Sequence, residues 1–119
     1  MDASLTEFER AFGLGCNEAL ADVLGVKTLA SAVRSLKKQG LSLDDVARRP
    51  AEFDDALSVL FNPVGANFLE IRILKRFYRS IGLRFEWNDG RVFKEEVEEA
   101  SRHFRVRSSQ PSTLSAEGK

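Results

Sequence analysis

A single cysteine, Cys16, among 119 residues rules out an intrachain disulfide or a cysteine-based zinc site, and a lone thiol on a helical stripe is ordinarily a small buried apolar group. Histidine is as scarce. His103 stands alone beside Arg102 and Arg105 and reads as a solvated surface residue, not as the base of a catalytic pair. The carboxylate pairs Asp44-Asp45 and Asp54-Asp55 fall where helix caps and first turns favour negative charge, and neither couples to a histidine or cysteine at ligand spacing. No catalytic residue, metal or cofactor is therefore expected, and the protein reads as a non-enzyme. Net charge is also missing: eighteen basic and eighteen acidic side chains cancel, so no bulk field draws the chain to nucleic acid or to an anionic membrane. No run approaches the roughly eighteen consecutive apolar residues of a membrane span. The first residues lack the basic and apolar regions of a secretory leader, and a cytoplasmic, reducing location is expected. Gly13-Leu14-Gly15 has neither the further glycines nor the lysine of a phosphate-cradling loop. Repeats of solenoid period and sustained heptads are absent too.

What remains is an ordinary globular composition, 43% apolar and 30% charged, enough to build one core. Ser4-Leu5-Thr6-Glu7 has the form of a capping box, followed by a stripe of Leu5, Phe8, Phe12, Cys16, Leu20 and Val23 that Gly13 and Gly15 are expected to weaken or break. Val26, Leu29, Ala30, Val33 and Leu36 predict a second helix, closed by Lys37, Lys38 and Gly40. Ser42 and Asp45 cap a short helical stretch. Pro50 suits a first helical position, with Phe53, Ala56, Leu57, Leu60 and Phe61 as the buried face that follows. Asn62-Pro63-Val64-Gly65 is a turn, and 66–81 is the strongest helix, ended by Gly82. Leu83, Phe85 and Trp87 alternate with Arg84 and Glu86, predicting an extended segment or a short hairpin near 83–92, with Asn88-Asp89-Gly90 as its turn. Phe93, Val97, Ala100 and Phe104 predict a last helix over 91–104 with an acidic outer face of Glu95, Glu96, Glu98 and Glu99. The expected fold is all-α, four to five packed amphipathic helices in a single domain over 1–104, with a disordered tail over 105–119.

Functional character concentrates in the helix at 66–81. Arg72, Lys75, Arg76 and Arg79 form a basic stripe opposite its apolar half, with a weaker basic face of Lys27, Arg34 and Lys38 on the second helix. The stripe is either neutralised within the molecule, for which the glutamates of the last helix are the expected partners, or it binds a protein or a nucleic acid. Trp87 and Tyr78 are core-capping aromatics with a polar end, or, for Trp87, an anchor for a partner. Glu70 falls on the core side of its helix, where a carboxylate must be paired or protonated: a structural ion pair, or a ligand or partner contact.

The stretches at 50–61 and 65–83, with Phe53, Ala56-Leu57, Leu60-Phe61, Gly65-Ala66, Leu69-Glu70, Tyr78 and Gly82-Leu83, together with the Phe93, Val97-Glu98-Glu99-Ala100 pattern, resemble the nitrosopumilus output domain, a family of small archaeal helical domains. The resemblance covers roughly 14–104. It implies a module associated with signalling or regulation and transfers no active-site residue. The leading expectation is a non-enzymatic regulatory or protein-interaction module, with a protein partner or self-association through Arg72, Lys75, Arg76, Arg79 and Trp87. A nucleic-acid-associated protein using the basic face comes second, and a small enzyme with an unrecognised site third.

Overall fold

α1 (Ala3–Leu24) runs unbroken through both of its glycines. A Cβ at Gly13 would lie 3.1 Å from the Leu43 carbonyl oxygen and 3.3 Å from Asp44 Cα, so the glycine lets backbone approach backbone there. The expected break does not occur because the helix is braced on its buried side, where Phe8, Phe12, Cys16 and Leu20 are all but inaccessible. The computed structural model describes residues 3–87 and 90–109, and the side chains of 6–87 and 90–107 among them. Ser4 and Leu5 of the expected cap and stripe lie outside those side chains, and α1 begins at Ala3, before the expected cap. Val23, at the other end of the stripe, is exposed.

Gly25 alone (φ 84°) joins α1 to α2 (Val26–Lys38). α2 buries Leu29, Ala32 and Leu36, whereas Val26 and Ala30 of the expected stripe face outward, since the chain direction leaving Gly25 sets which side of α2 meets α1. Ser42 and Asp45 form the expected capping box on the 3-10 turn Leu43–Asp45. Hydrogen bonding to Arg48, then to Ser42, holds the Asp45 carboxyl below its usual range.

α3 (Pro50–Ser80) starts with proline in its first turn and changes direction at Asn62 (φ 64°, ψ 166°). The Asn62 side chain accepts a hydrogen bond from the Gly65 N–H (2.9 Å) while Pro63 occupies the first position of the second limb, the usual chemistry of a helix N-terminus. The expected turn is thus a break and restart between two limbs, 50–61 and 63–80. In a straight helix Asp54 and Glu70 would be about 24 Å apart along the axis, yet the Asp54 carboxyl lies close enough to act on that of Glu70, so the limbs double back on each other. Leu83 N–H bonds to Tyr78 C=O and Gly82 N–H to Arg79 C=O, and Gly82 (φ 77°) takes the left-handed position of this helix-ending motif.

α4 (Phe93–Ser109) begins where Glu95 accepts from the Val92 N–H (3.1 Å), and it continues past Phe104 to Ser109. Residues 105–109, assigned to the tail on composition, are helical, and Arg107 lies over Gly82. The remaining expected tail, 110–119, lies outside the described residues. The chain is all-α, with four helices and no strand among the described residues. Its centre is a set of phenylalanine rings shared by three helices: Phe8 and Phe12 of α1, Phe77 of α3 and Phe104 of α4, with centroids 5.2 to 6.1 Å apart. α3 is long and apolar enough by length and composition to cross a membrane. Asn62 interrupts it, and Phe53, Leu57, Leu69, Ile73, Leu74 and Phe77 lie in the core.

Candidate interaction surface

The first limb of α3, α1 and α4 occupy the apolar side of the second limb and leave its opposite side to solvent. At about 100° per residue, Val64, Phe68, Lys75, Arg79 and Arg72 fall within an arc of about 80°. All five are exposed, Val64 at 81% and Phe68 at 54%. The basic stripe is therefore real and continues toward Asn62 as an apolar one. Phe68 lies four residues before Arg72, a spacing visible in the sequence; its exposure was masked there by the apolar letters around it.

Of the four cations, Arg76 is set apart. Its Nε reaches Glu18 Oε1 at 3.1 Å and its Nη1 reaches Asp22 Oδ2 at 2.9 Å, which ties α3 to α1. The expected partner, the acidic last helix, is not the one used. The glutamates of α4 are matched within their own neighbourhood: Glu99 by Arg102, His103 (3.1 Å) and Arg91 (3.8 Å), and Glu96 by Arg91 (3.8 Å). Arg102, first, and the other cations hold the Glu99 carboxyl below its usual range. Glu96 is buried, so the acidic outer face is narrower than its letters suggest and consists of Glu95 and Glu98, with Glu99 half-buried. Arg72, Lys75 and Arg79 have no acidic partner within ion-pair distance among the described residues.

Two hollows flank this stripe. One, about 120 Å³, lies between α1 and α3 and is lined by Ala19, Asp22 and all four cations. The other, about 700 Å³ and open, runs between α3 and segment 83–87, with Ile71, Leu83, Phe85 and Trp87 supplying apolar walls and Lys75, Arg79, Arg84 and Glu86 the polar ones. Lys75 and Arg79 line both and form the ridge between them. The fold thus brings Trp87 to the stripe from a separate part of the chain. Trp87 is half-buried, its ring edge-on to Phe85 at 6.3 Å, so one side caps the core and the rest faces the groove.

Glu70 is on the core side as expected, with 3% of its surface accessible, and it forms no ion pair with a cation among the described residues. Burial first, then hydrogen bonding to Asp54 and the proximity of its charge, push the Glu70 carboxyl up to about 9. It is a neutral acid at neutral pH rather than half of an ion pair, which is how a carboxyl meets the cost of an apolar site without a counter-charge. Its Oε2 atom finds no hydrogen-bond partner among the described residues.

Chemistry-bearing groups elsewhere are dispersed. Burial pushes the Cys16 thiol far above its usual range, which removes the nucleophilic thiolate. His103 pairs with Glu99 and packs edge-on to Tyr78 at 5.4 Å. Burial, followed by Glu99 and Glu96, pushes the Tyr78 phenol up to about 12. Neither groove along α3 is lined by His103 or Cys16. No group of three or more His, Cys, Asp or Glu side chains that could hold a metal ion occurs among the described residues. No family model matches the chain, and no curated protein or solved structure is significantly similar to it, so the resemblance to the nitrosopumilus output domain rests on the quoted residues alone.

Proposed function

We propose that the protein is a non-enzymatic regulatory or interaction module of the cytoplasm that binds another protein through the outer face of α3. The observation that carries this reading is the set of three exposed cations, Arg72, Lys75 and Arg79, which have no acidic partner among the described residues and stand beside a groove walled by Ile71, Leu83 and Trp87. Cations at the rim of an apolar groove suit a protein surface bearing carboxylates around apolar anchors: the apolar floor supplies affinity, and the rim charges steer and orient the encounter. The signalling role implied by the family resemblance agrees with such a module. A nucleic acid is the weaker occupant, since Asp22 and Glu86 line the same hollows, Glu18 pairs with Arg76 beside them, and the whole chain carries no net charge to attract a polyanion.

The test compares the native protein with the Arg72→Glu/Arg79→Glu variant, leaving Arg76 in place because it joins two helices. Crosslinking in extracts of the source cell should capture a protein that the variant loses and that Lys27→Glu/Arg34→Glu, on α2, retains. Anisotropy titration with duplex and single-stranded nucleic acid at low salt should show no saturable binding. Micromolar binding whose log affinity falls with log salt by about 0.7 to 0.9 per charge, and which the α3 variant weakens, would make nucleic acid the partner instead.

A further inference from the structure

Segment 83–87 belongs to no helix or turn, and its residues alternate between exposed and more buried along the chain. The Leu83 N–H closes α3 on Tyr78, but from Arg84 to Trp87 no main-chain N–H or C=O makes a hydrogen bond to another described residue. The alternation of the segment is fixed from below. Phe85 is buried against Tyr78, with ring centroids 5.2 Å apart, and this forces Arg84 and Glu86 outward, where their side chains are 89% and 77% exposed. Such an edge is a template for another strand. Edges that avoid pairing commonly carry charge of one sign, so that two copies repel. This one carries a cation and an anion two residues apart.

The order of those charges selects the strand that fits. In an antiparallel pairing of the segment with itself, centred on Phe85, residue 84 of one copy stands opposite residue 86 of the other, and 83 opposite 87. Each Arg84 then faces a Glu86, twice over, while Leu83 meets Trp87 on the apolar side. An in-register parallel pairing would instead set each charge against its like. Within one chain the two charges are only loosely associated, with Arg84 Nε and Glu86 Oε2 3.8 Å apart, and both are free to exchange partners.

We infer that 83–87 is a self-complementary edge through which two copies of this chain associate about a two-fold axis, forming a two-stranded antiparallel ribbon. The unpaired main chain supplies the hydrogen bonds, the Arg84–Glu86 exchange sets the register, and the apolar walls at Leu83 and Trp87 are covered by their counterparts. The inference does not depend on the cations of α3, but the dimer covers the Leu83 and Trp87 walls of the groove and so competes with the partner proposed there; reversing residues 84 and 86 tests the dimer, and reversing Arg72 and Arg79 tests the partner.

Sedimentation velocity from low-micromolar to near-millimolar concentration is the test, with Arg84→Glu, Glu86→Arg, the double exchange of both, and an equimolar mixture of the two single variants. The native chain should show a concentration-dependent dimer. Each single variant should raise its dissociation constant by about tenfold or more, because two attractive cross-strand pairs become repulsive. The double exchange should dimerise like the native chain, and the mixture should form a heterodimer, since it sets two anions of one chain opposite two cations of the other. Both side chains are exposed, so unchanged melting temperatures will show that the fold is intact. A native chain that stays monomeric throughout, a dimer indifferent to the single reversals, or a double exchange that fails to restore association would each overturn the inference.

Discussion

At the scale of single residues, Glu70 gives the clearest link between environment and measurable behaviour. Its carboxyl has a folded value raised to about 9, far above that of an unfolded chain, so the folded state retains a proton that the unfolded state releases. Stability from this group is full below the unfolded value and declines as pH rises toward about 9, at up to about 1.4 kcal/mol per pH unit. Glu70→Gln keeps the shape and the hydrogen-bonding capacity but cannot ionise. The variant should match the native protein near pH 4 and exceed it increasingly up to pH about 9 in urea denaturation; parallel curves across that range would contradict a protonated Glu70. The two glycines of α1 offer a second contrast. A methyl group at Gly15 meets nothing nearer than Phe77 Cβ at 4.0 Å, so Gly15→Ala should stabilise by about 0.5 to 1 kcal/mol through helix propensity. Gly13→Ala should gain less or lose, because its methyl would press on the Leu43 carbonyl at 3.1 Å. Thermal melts that rank Gly13→Ala above Gly15→Ala would refute the close approach.

Among the elements, the break in α3 decides most. Asn62 combines positive φ with extended ψ, a region occupied almost solely by glycine, and remains there because its side chain caps the second limb. Cap and backbone can be separated by substitution. Asn62→Gly loses the cap at a cost of a few tenths of a kcal/mol but relieves a backbone cost of about 1 to 3 kcal/mol, so it should be neutral or stabilising. Asn62→Ala loses the cap and keeps the strained φ, and should destabilise by about 1 to 2 kcal/mol. Equal midpoints for the two variants in denaturant would mean that the break is held by packing alone. A turn at Asn62-Pro63-Val64-Gly65 was legible in the sequence, although the second limb starts at Pro63 and not at the expected residue 66. The doubling back that places Asp54 against Glu70 was not, because a turn motif specifies local dihedrals and leaves the angle between limbs to packing.

Considered as a whole molecule, the chain is held by rings that converge from three helices onto Phe77. Removing that ring leaves a cavity bordered by Phe8, Phe12 and Phe104, and Phe77→Ala should cost about 3 to 5 kcal/mol. Urea unfolding followed by circular dichroism will measure this, and a loss under about 1 kcal/mol would place the core elsewhere. Charge is distributed at the same scale by proximity rather than by helix composition. Arg76 uses Glu18 and Asp22, Arg91 uses Glu96 and Glu99, and Arg72, Lys75 and Arg79 are left facing solvent. Complementary composition suggested that a basic helix and an acidic helix would neutralise one another. They do not, because α4 meets α3 through Phe104 and its other apolar residues and turns Glu95 and Glu98 away.

The sequence by itself determined the helices, their start at Pro50 and stop at Gly82, the capping box at Ser42, the inward face of Glu70 and the outward stripe of Arg72, Lys75 and Arg79. These follow from short-range rules: side-chain period, cap chemistry and backbone freedom act over a few residues. The tertiary structure alone decided that α1 passes through its glycines, that α4 extends to Ser109, that Glu70 faces Asp54 rather than a cation, and that Trp87 joins Lys75 and Arg79 around one groove. Each of these depends on which surfaces meet across long stretches of chain, and burial and Coulomb energies respond to distance in space, not to separation along the sequence.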